Sequence, residues 1–233
     1  MPSLEKDISY YSSDRRDFIS IFPEGMKKVL DVGCGAGNFG QYLKKVTPAE
    51  VVGIEINEEA ARIARQNLDR VICADVEKGL FDFEEGYFDI IIFADVLEHL
   101  IDPWAVLKKM RKYLRAGGYI LVSVPNIRYY RILLNIIFKG EFKYTDFGIL
   151  DAAHLRFFTF KMLRIYLQDA GFRIVKVKRN FSGNISWIVN KIFFNLFADF
   201  FTRQYIVLAH KTKNYRHEKN GGKDETGYSN TVL

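Results

Sequence analysis

The sequence predicts a doubly wound α/β domain on a mostly parallel sheet, and three observations carry that prediction. Five short apolar segments alternate with helical ones over residues 28–124, the order expected of a parallel sheet with helices on both faces. Phe88-Asp89-Ile90-Ile91-Ile92-Phe93 is the near-continuous apolar run that a central strand covered on both sides requires. Gly33, Glu55, Asp75, Asp95 and Asn126 stand just beyond the segments, at the carboxyl ends where such sheets take their ligands.

Each element has its own signal. Residues 8–22 mix Tyr10, Tyr11, Phe18 and Phe22 with Asp14, Arg15, Arg16 and Asp17, and read as a helix ended by Pro23 and Gly25. The first strand, Val29 to Val32, runs into a turn with glycines at 33, 35 and 37, then into a helix from Asn38 to about Val46. Alternate glycines let the backbone take positive φ and approach a ligand closely. Glu50 to Glu55 is the second strand, and Asn57 caps a helix reaching Leu68. Arg70 to Ala74 delivers Asp75. After the strand Phe88–Phe93 come Ala94-Asp95-Val96-Leu97-Glu98-His99-Leu100 and a helix from Pro103, with apolar positions Val106, Leu107, Met110, Tyr113 and Leu114 and an expected stop at Gly117-Gly118. Strand five is Tyr119 to Val124, cut off by Pro125.

The second half is less regular. Residues 126–158 read as an insertion containing a helix over Ile127 to Phe138, apolar on a wide arc with Arg128, Arg131 and Asn135 on a narrow polar stripe. It leaves the sheet on the ligand side and is expected to cover the site. A helix from Thr159 to Ala170, a strand from Phe172 to Val177, an apolar helix from Ile185 to Phe201 and a strand from Gln204 to Ala209 follow. Residues 1–210 are expected to form one domain and residues 211–233 a disordered polar tail.

Composition is that of a soluble globular chain, 48% hydrophobic and 27% charged. Cys34 and Cys73 lack metal-like spacing, and the start has no apolar signal region, so a cytoplasmic location is expected. Apolar runs such as Ile132 to Phe138 are too short to span a bilayer. The net charge of +6 divides unevenly. Residues 1–125 hold 16 Lys+Arg against 20 Asp+Glu, net −4, and residues 126–233 hold 18 against 8, net +10. The basic half is either a solvated surface or an anion-attracting face.

Gly35-Ala36-Gly37-Asn38-Phe39-Gly40 matches the G-x-G-x-x-G of dinucleotide-binding folds, but Asp31 stands at the strand mouth where a pyrophosphate would come. An acid there opposes a phosphate and suits a cation. S-adenosylmethionine carries a sulfonium and an α-ammonium and no phosphate. At Asp31 to Gly40 the chain resembles the class I S-adenosylmethionine-dependent methyltransferases, and the resemblance extends over residues 8–210. It implies a seven-stranded sheet with an antiparallel last strand, the Rossmann-like arrangement of that class. It implies that Asp31, Gly33, Gly35 and Gly37 cradle the methyl donor, that Glu55 takes its ribose hydroxyls, and that Asp75 and the Val76 amide read the adenine. Ile56, Ala94 and Asp95 complete the expected cofactor set.

Methyl transfer to a hydroxyl needs a proton removed, for which a histidine near neutrality is suited. His210 follows the last strand and His217 lies in the tail, which leaves His99 and His154 as candidates for the base. His154 belongs to Gly148-Ile149-Leu150-Asp151-Ala152-Ala153-His154-Leu155-Arg156-Phe157-Phe158-Thr159, a segment similar to one in methyltransferases of glycan, lipid and secondary-metabolite pathways. The alternative for His154 is a hydrogen-bonding hub with Asp151 and Arg156, and for His99 a loop cap. Asp95-Val96-Leu97-Glu98-His99 with His154 also resembles the metal-binding residues of RNA 3′-terminal 2′-O-methyltransferases, with Asp95 where that pattern has Glu. The expected reaction is methyl transfer to oxygen or nitrogen of a small, glycan or lipid-linked acceptor, with no metal and no nucleic acid. The alternatives are a metal-dependent RNA 3′-terminal 2′-O-methyltransferase, which the basic second half would suit, and a non-catalytic S-adenosylmethionine-binding module. The apolar segments 127–138 and 185–201 read as core or homodimer contacts, or as a peripheral membrane contact in which Arg128, Arg131, Lys139 and Lys143 meet phosphates.

Overall fold

The computed structural model describes residues 7, 11, 15–181 and 198–212. Most of the helix expected over residues 185–201, part of that over residues 8–22, and nearly all of the polar tail lie outside the described residues. Seven strands form one sheet: β1 (Lys28–Val32), β2 (Glu50–Glu55), β3 (Arg70–Cys73), β4 (Phe88–Ala94), β5 (Leu114–Pro125), β6 (Phe172–Phe181) and β7 (Thr202–Lys211). Their spatial order is β3-β2-β1-β4-β5-β7-β6. The first five pair in parallel, and β7 is antiparallel to both β5 and β6. The doubly wound sheet with an antiparallel last strand is therefore as expected.

Side chains alternate between two hydrophobic layers because successive Cβ atoms in a strand point to opposite faces. Leu30, Val52, Ile91, Phe93 and Val122 pack on one face against α3 (Pro103–Arg111) and α5 (Phe160–Asp169). Val29, Val51, Ile90, Ile92 and Leu121 pack on the other against Phe39 and Leu43 of α1 (Asn38–Val46) and Phe18 of a 3-10 turn, Arg16–Ile21. Helix starts follow the sequence signals. Asn57 accepts from the Ala60 amide at the head of α2 (Glu58–Ala64), Asp102 from Ala105 at the head of α3, and Thr159 from Met162 at the head of α5.

Two local expectations are corrected. Gly117-Gly118 do not close α3, which ends at Arg111, but lie where β5 bulges between its pairings Phe88↔Leu114 and Ile90↔Tyr119. The Gly86 and Phe88 amides, donating to the Lys112 and Tyr113 carbonyls at 3.0 and 2.9 Å, bring the chain into the sheet before the glycines. The helix of the insertion is shorter than its apolar run. α4 covers Tyr130–Leu134 and continues as one wide π turn, Asn135–Lys139, ended by Gly140 at φ 67°. None of its residues is buried. The insertion is tied at its ends: Asn126 donates from Nδ2 to the Asp199 and Thr202 carbonyls, and the Ile127 amide donates to Phe158.

Candidate active site

The carboxyl ends of β1, β2, β3 and β4 open into one cavity of about 790 Å³. Of the expected cofactor residues, Asp31, Gly33, Gly35, Glu55, Ile56, Asp75, Val76, Ala94 and Asp95 line it, and Gly37 does not. Gly37 instead sits before α1 at φ 79°, against Ala64 and Leu68. Asn126 is also outside the wall, committed to stitching the insertion to the residues before β7.

The glycine turn is held by main-chain groups. The Gly33 amide donates to the Ile54 carbonyl at 2.7 Å and the Gly35 amide to Glu55 Oε2 at 2.8 Å. Gly35 has φ 55°, and a Cβ on it would stand 2.4 Å from the Tyr11 carbonyl oxygen, so this position admits no side chain. The other Glu55 oxygen accepts from the Asn57 amide at 2.9 Å. Each carboxylate oxygen keeps a second acceptor direction for a ligand hydroxyl.

The acids of the wall differ in charge. Asp31 is buried, which raises its pKa to about 7 against the pull of Arg15 and with the push of Glu55. Asp75 is pushed up by partial burial but ends below the usual carboxylate range, because the Glu77 amide and the Lys78 ammonium hold its charged form. Asp95 has φ 53°, rare for a residue with a Cβ. Three elements over-determine that conformation: Ser123 of β5 and Gln204 of β7 each donate to Asp95 Oδ1 at 2.6 Å, and Arg15 pairs with Oδ2 at 3.4 Å while donating to the Ala94 carbonyl.

His99 and His154 meet on the opposite wall with ring centroids 4.7 Å apart, edge to face. The contact is made by backbone: the Leu155 and Arg156 amides donate to the Glu98 carbonyl at 2.8 and 3.0 Å. His99 Nδ1 lies 3.1 Å from the Ala153 carbonyl and His154 Nδ1 3.0 Å from that of Ile149. A carbonyl only accepts, so each Nδ1 carries the proton and the neutral ring has its lone pair on Nε2. Burial, reinforced by His154, holds the His99 pKa below its ordinary value against the Ala153 carbonyl. Around His154, the Asp151 main-chain carbonyl accepts from the His154 amide and the imidazole turns to the Ile149 carbonyl, whereas the Arg156 side chain turns to the Ile101 carbonyl.

Beside the two rings lies Glu98, 1% exposed, a residue absent from the expected site set. Glu98, His99 and His154 offer ligand atoms that lie within 4.8 Å of one another. Asp95 is not in that group, its carboxylate being committed to Ser123, Gln204 and Arg15. Arg15 and Gln204 were equally invisible in sequence, since a charged run and an alternating strand carry no sign of what they face.

The features of the wall fit S-adenosylmethionine. A buried carboxyl raised to about 7 regains its charge when a cation arrives, and a phosphate would face Asp31, Glu55 and Asp75 together.

Residues 4–177 match the family described as "Methyltransferase domain", and the chain belongs to that family. Its class is that of the S-adenosylmethionine-dependent methyltransferases, whose fold it shares. A methyltransferase of this type from Archaeoglobus fulgidus superposes with a TM-score of 0.65 at 22% identity, over 84% of this chain and 90% of that one. Among curated sequences, a "Ubiquinone biosynthesis O-methyltransferase" of Idiomarina loihiensis is 34% identical over 131 residues, 53% of each chain. One of the same name from Acinetobacter baylyi is 31% identical over 106 residues, 43% of this chain and 44% of the relative. The chain therefore spans about half the length of the curated relatives it matches.

Proposed function

We propose that this chain transfers a methyl group to a hydroxyl of a small acceptor with an apolar or lipid-linked body, with the His99–His154 pair as the base. The observation that carries this reading is that the expected cofactor residues other than Gly37 and both imidazoles line the same cavity. Bound S-adenosylmethionine supplies an electrophilic methyl carbon on a sulfonium. Asp31 holds its positive end, Glu55 its ribose, Asp75 and Val76 its base, and the protein's remaining task is alignment and proton removal. His99 stays neutral near pH 7 because burial and His154 disfavour its charged form, so its Nε2 lone pair can accept the acceptor's proton.

Oxygen rather than nitrogen is favoured by this paired base, and the curated relatives carry O-methyltransferase names. The apolar body is favoured by exposed apolar residues of the insertion, one of which lines the cavity. Phe147, which lines the cavity, is 74% exposed, and Ile137 and Phe138 in the insertion are 69% and 78% exposed. Arg131, Lys139 and Lys143 stand among them, a mixture suited to an anionic lipid surface, so the acceptor is taken from a membrane face. No helix among the described residues is long and apolar enough to cross a membrane.

The test is transfer of labelled methyl groups from S-adenosylmethionine into fractionated extracts of the source cell, scored as lipid, soluble metabolite, glycan or RNA. Label in a lipid or small-molecule hydroxyl is expected; label confined to RNA or to amines refutes the reading. His99→Asn should lower kcat about 10²–10⁴-fold with S-adenosylhomocysteine affinity retained. Wild-type kcat/KM should rise with pH through a value below 6.5, the ordinary histidine value from which His99 is lowered.

A further inference from the structure

We propose that Glu77 is a positioning residue that joins the adenine end of the donor site to the wall carrying His99 and His154, so that occupancy of the one sets the placement of the other. This rests on the reading of that wall as the acceptor side of the cavity, and not on the identity of the acceptor.

Glu77 follows Val76, and its own amide donates to Asp75 Oδ1 at 2.8 Å, so its main chain is part of the turn expected to read the adenine. Its carboxylate leaves that turn. Oε1 accepts from the Asp102 amide at 2.7 Å and Oε2 from the Ile101 amide at 3.1 Å, just beyond the 3-10 turn Leu97–His99. Bonds from main-chain amides to a carboxylate are charge-assisted and stronger than neutral ones. The carbonyl of the same Ile101 accepts from Arg156 Nε at 3.1 Å, and the Leu155 and Arg156 amides return to the Glu98 carbonyl. Both main-chain groups of Ile101 are thus held by distant side chains, Glu77 on one side and Arg156 on the other. Leu97 and Leu100 are buried, but Ile101 is 64% exposed, so beyond Leu100 these polar bonds rather than packing fix the path of the chain. The adenine turn is fastened to α3 as well: Lys109 donates from Nζ to the Val76 carbonyl and, at 3.0 and 3.1 Å, to those of Glu77 and Gly79. Asp75, Glu77, Ile101 and Arg156 therefore form one continuous path from the adenine turn to the residues just after His154, and Glu77 is the side chain that crosses between them. A donor that orders the turn orders this path, and by linkage a well-placed acceptor wall tightens the hold on the donor.

The experiment is residue-resolved amide hydrogen exchange of the full chain, with and without saturating S-adenosylhomocysteine. The reporters are the bonded amides themselves: Ile101 and Asp102 on Glu77, Leu155 on the Glu98 carbonyl, and Gly35 on Glu55 as the donor-site control. In the wild type the ligand should slow exchange at all of them about tenfold or more. In Glu77→Ala the slowing at Gly35 should remain, whereas at Ile101, Asp102 and Leu155 it should fall to about twofold or less. Glu77→Gln, which keeps an acceptor oxygen, should retain more of the slowing than Glu77→Ala. Arg156→Met should separate the two halves of the path, keeping the ligand-dependent slowing at Ile101 and Asp102 and losing it at Leu155. S-adenosylhomocysteine affinity by calorimetry and the thermal midpoint report whether each variant folds, and Arg156→Met decides the matter should Glu77→Ala fail to fold. A role confined to stability speeds exchange with and without ligand alike and leaves their ratio intact, which overturns the proposal. Slowing confined to Gly35 in the wild type overturns it too, as does slowing at Leu155 that survives in Glu77→Ala or in Arg156→Met. A protein that shows the coupling but transfers no labelled methyl to a hydroxyl refutes the proposed reaction and leaves the Glu77 assignment standing.

Discussion

The two halves of the cavity wall are held by different means. On the cofactor side, strand ends and carboxylates are bound to one another through the main chain, as in the Gly35 amide on Glu55 and the Gly33 amide on Ile54. Those bonds belong to the same structure that pairs β1 with β2. On the acceptor side, α4 and its π turn bury no residue and are secured mainly at their ends by Asn126 and Phe158. The difference teaches that the cofactor side is built into the sheet, whereas the helical cover of the other side is joined to it mainly at its ends.

Three variants sharpen or break that contrast. The largest effect is expected from Gly35→Val. Its Cβ meets the Tyr11 carbonyl, and S-adenosylhomocysteine affinity by calorimetry should fall more than about hundredfold, with a lower thermal midpoint. Next is Asp31→Asn, which removes the carboxylate facing the ligand's cation and should weaken the same affinity about ten- to hundredfold. Stability should move the other way. A carboxyl whose folded pKa is raised to about 7 is a liability above its unfolded value, and the loss grows as pH rises from about 4 through 7. The asparagine variant should therefore melt no lower than wild type at pH 8. Binding of S-adenosylhomocysteine at pH 7 should release protons in wild type, seen as a buffer-dependent calorimetric heat, and fewer in Asp31→Asn. The smallest effect belongs to the acceptor side. Ile137→Asp with Phe138→Asp should leave cofactor affinity and thermal midpoint within error, while binding to phosphatidylglycerol vesicles falls several-fold. A loss of cofactor affinity in this double variant comparable to that of Asp31→Asn would erase the distinction.

The same contrast explains what could be read from sequence. β2 over Glu50–Glu55 and α1 from Asn38 were legible because apolar period, glycine spacing and caps are local signals that the sheet merely confirms. Asp31, Glu55, Asp75 and Asp95 were legible as wall residues because the end of a strand is a position in sequence as well as in space. The Gly117-Gly118 stop was misread because a glycine pair ends a helix and bulges a strand equally well. Glu98 was legible only through the metal-binding resemblance; its burial and its contact with the segment 153–156, more than fifty residues away, leave no local signal. The charge on Asp31 escaped for a related reason, since a sequence names the acid but not the water it has lost.

β7 is the last of the described strands and yet sits inside the sheet, between β5 and β6. Synthesis runs from the amino terminus, so the parallel strands and the acids of the cofactor wall all emerge before β7 does. Until it arrives, Tyr119 to Pro125 of β5 present an open row of backbone donors and acceptors, the kind of edge at which growing chains stick to one another. A ligand that binds the early half shifts that half toward its folded state by mass action. Gln204 of β7 also donates to Asp95, so the cavity wall is completed only when this strand joins the sheet.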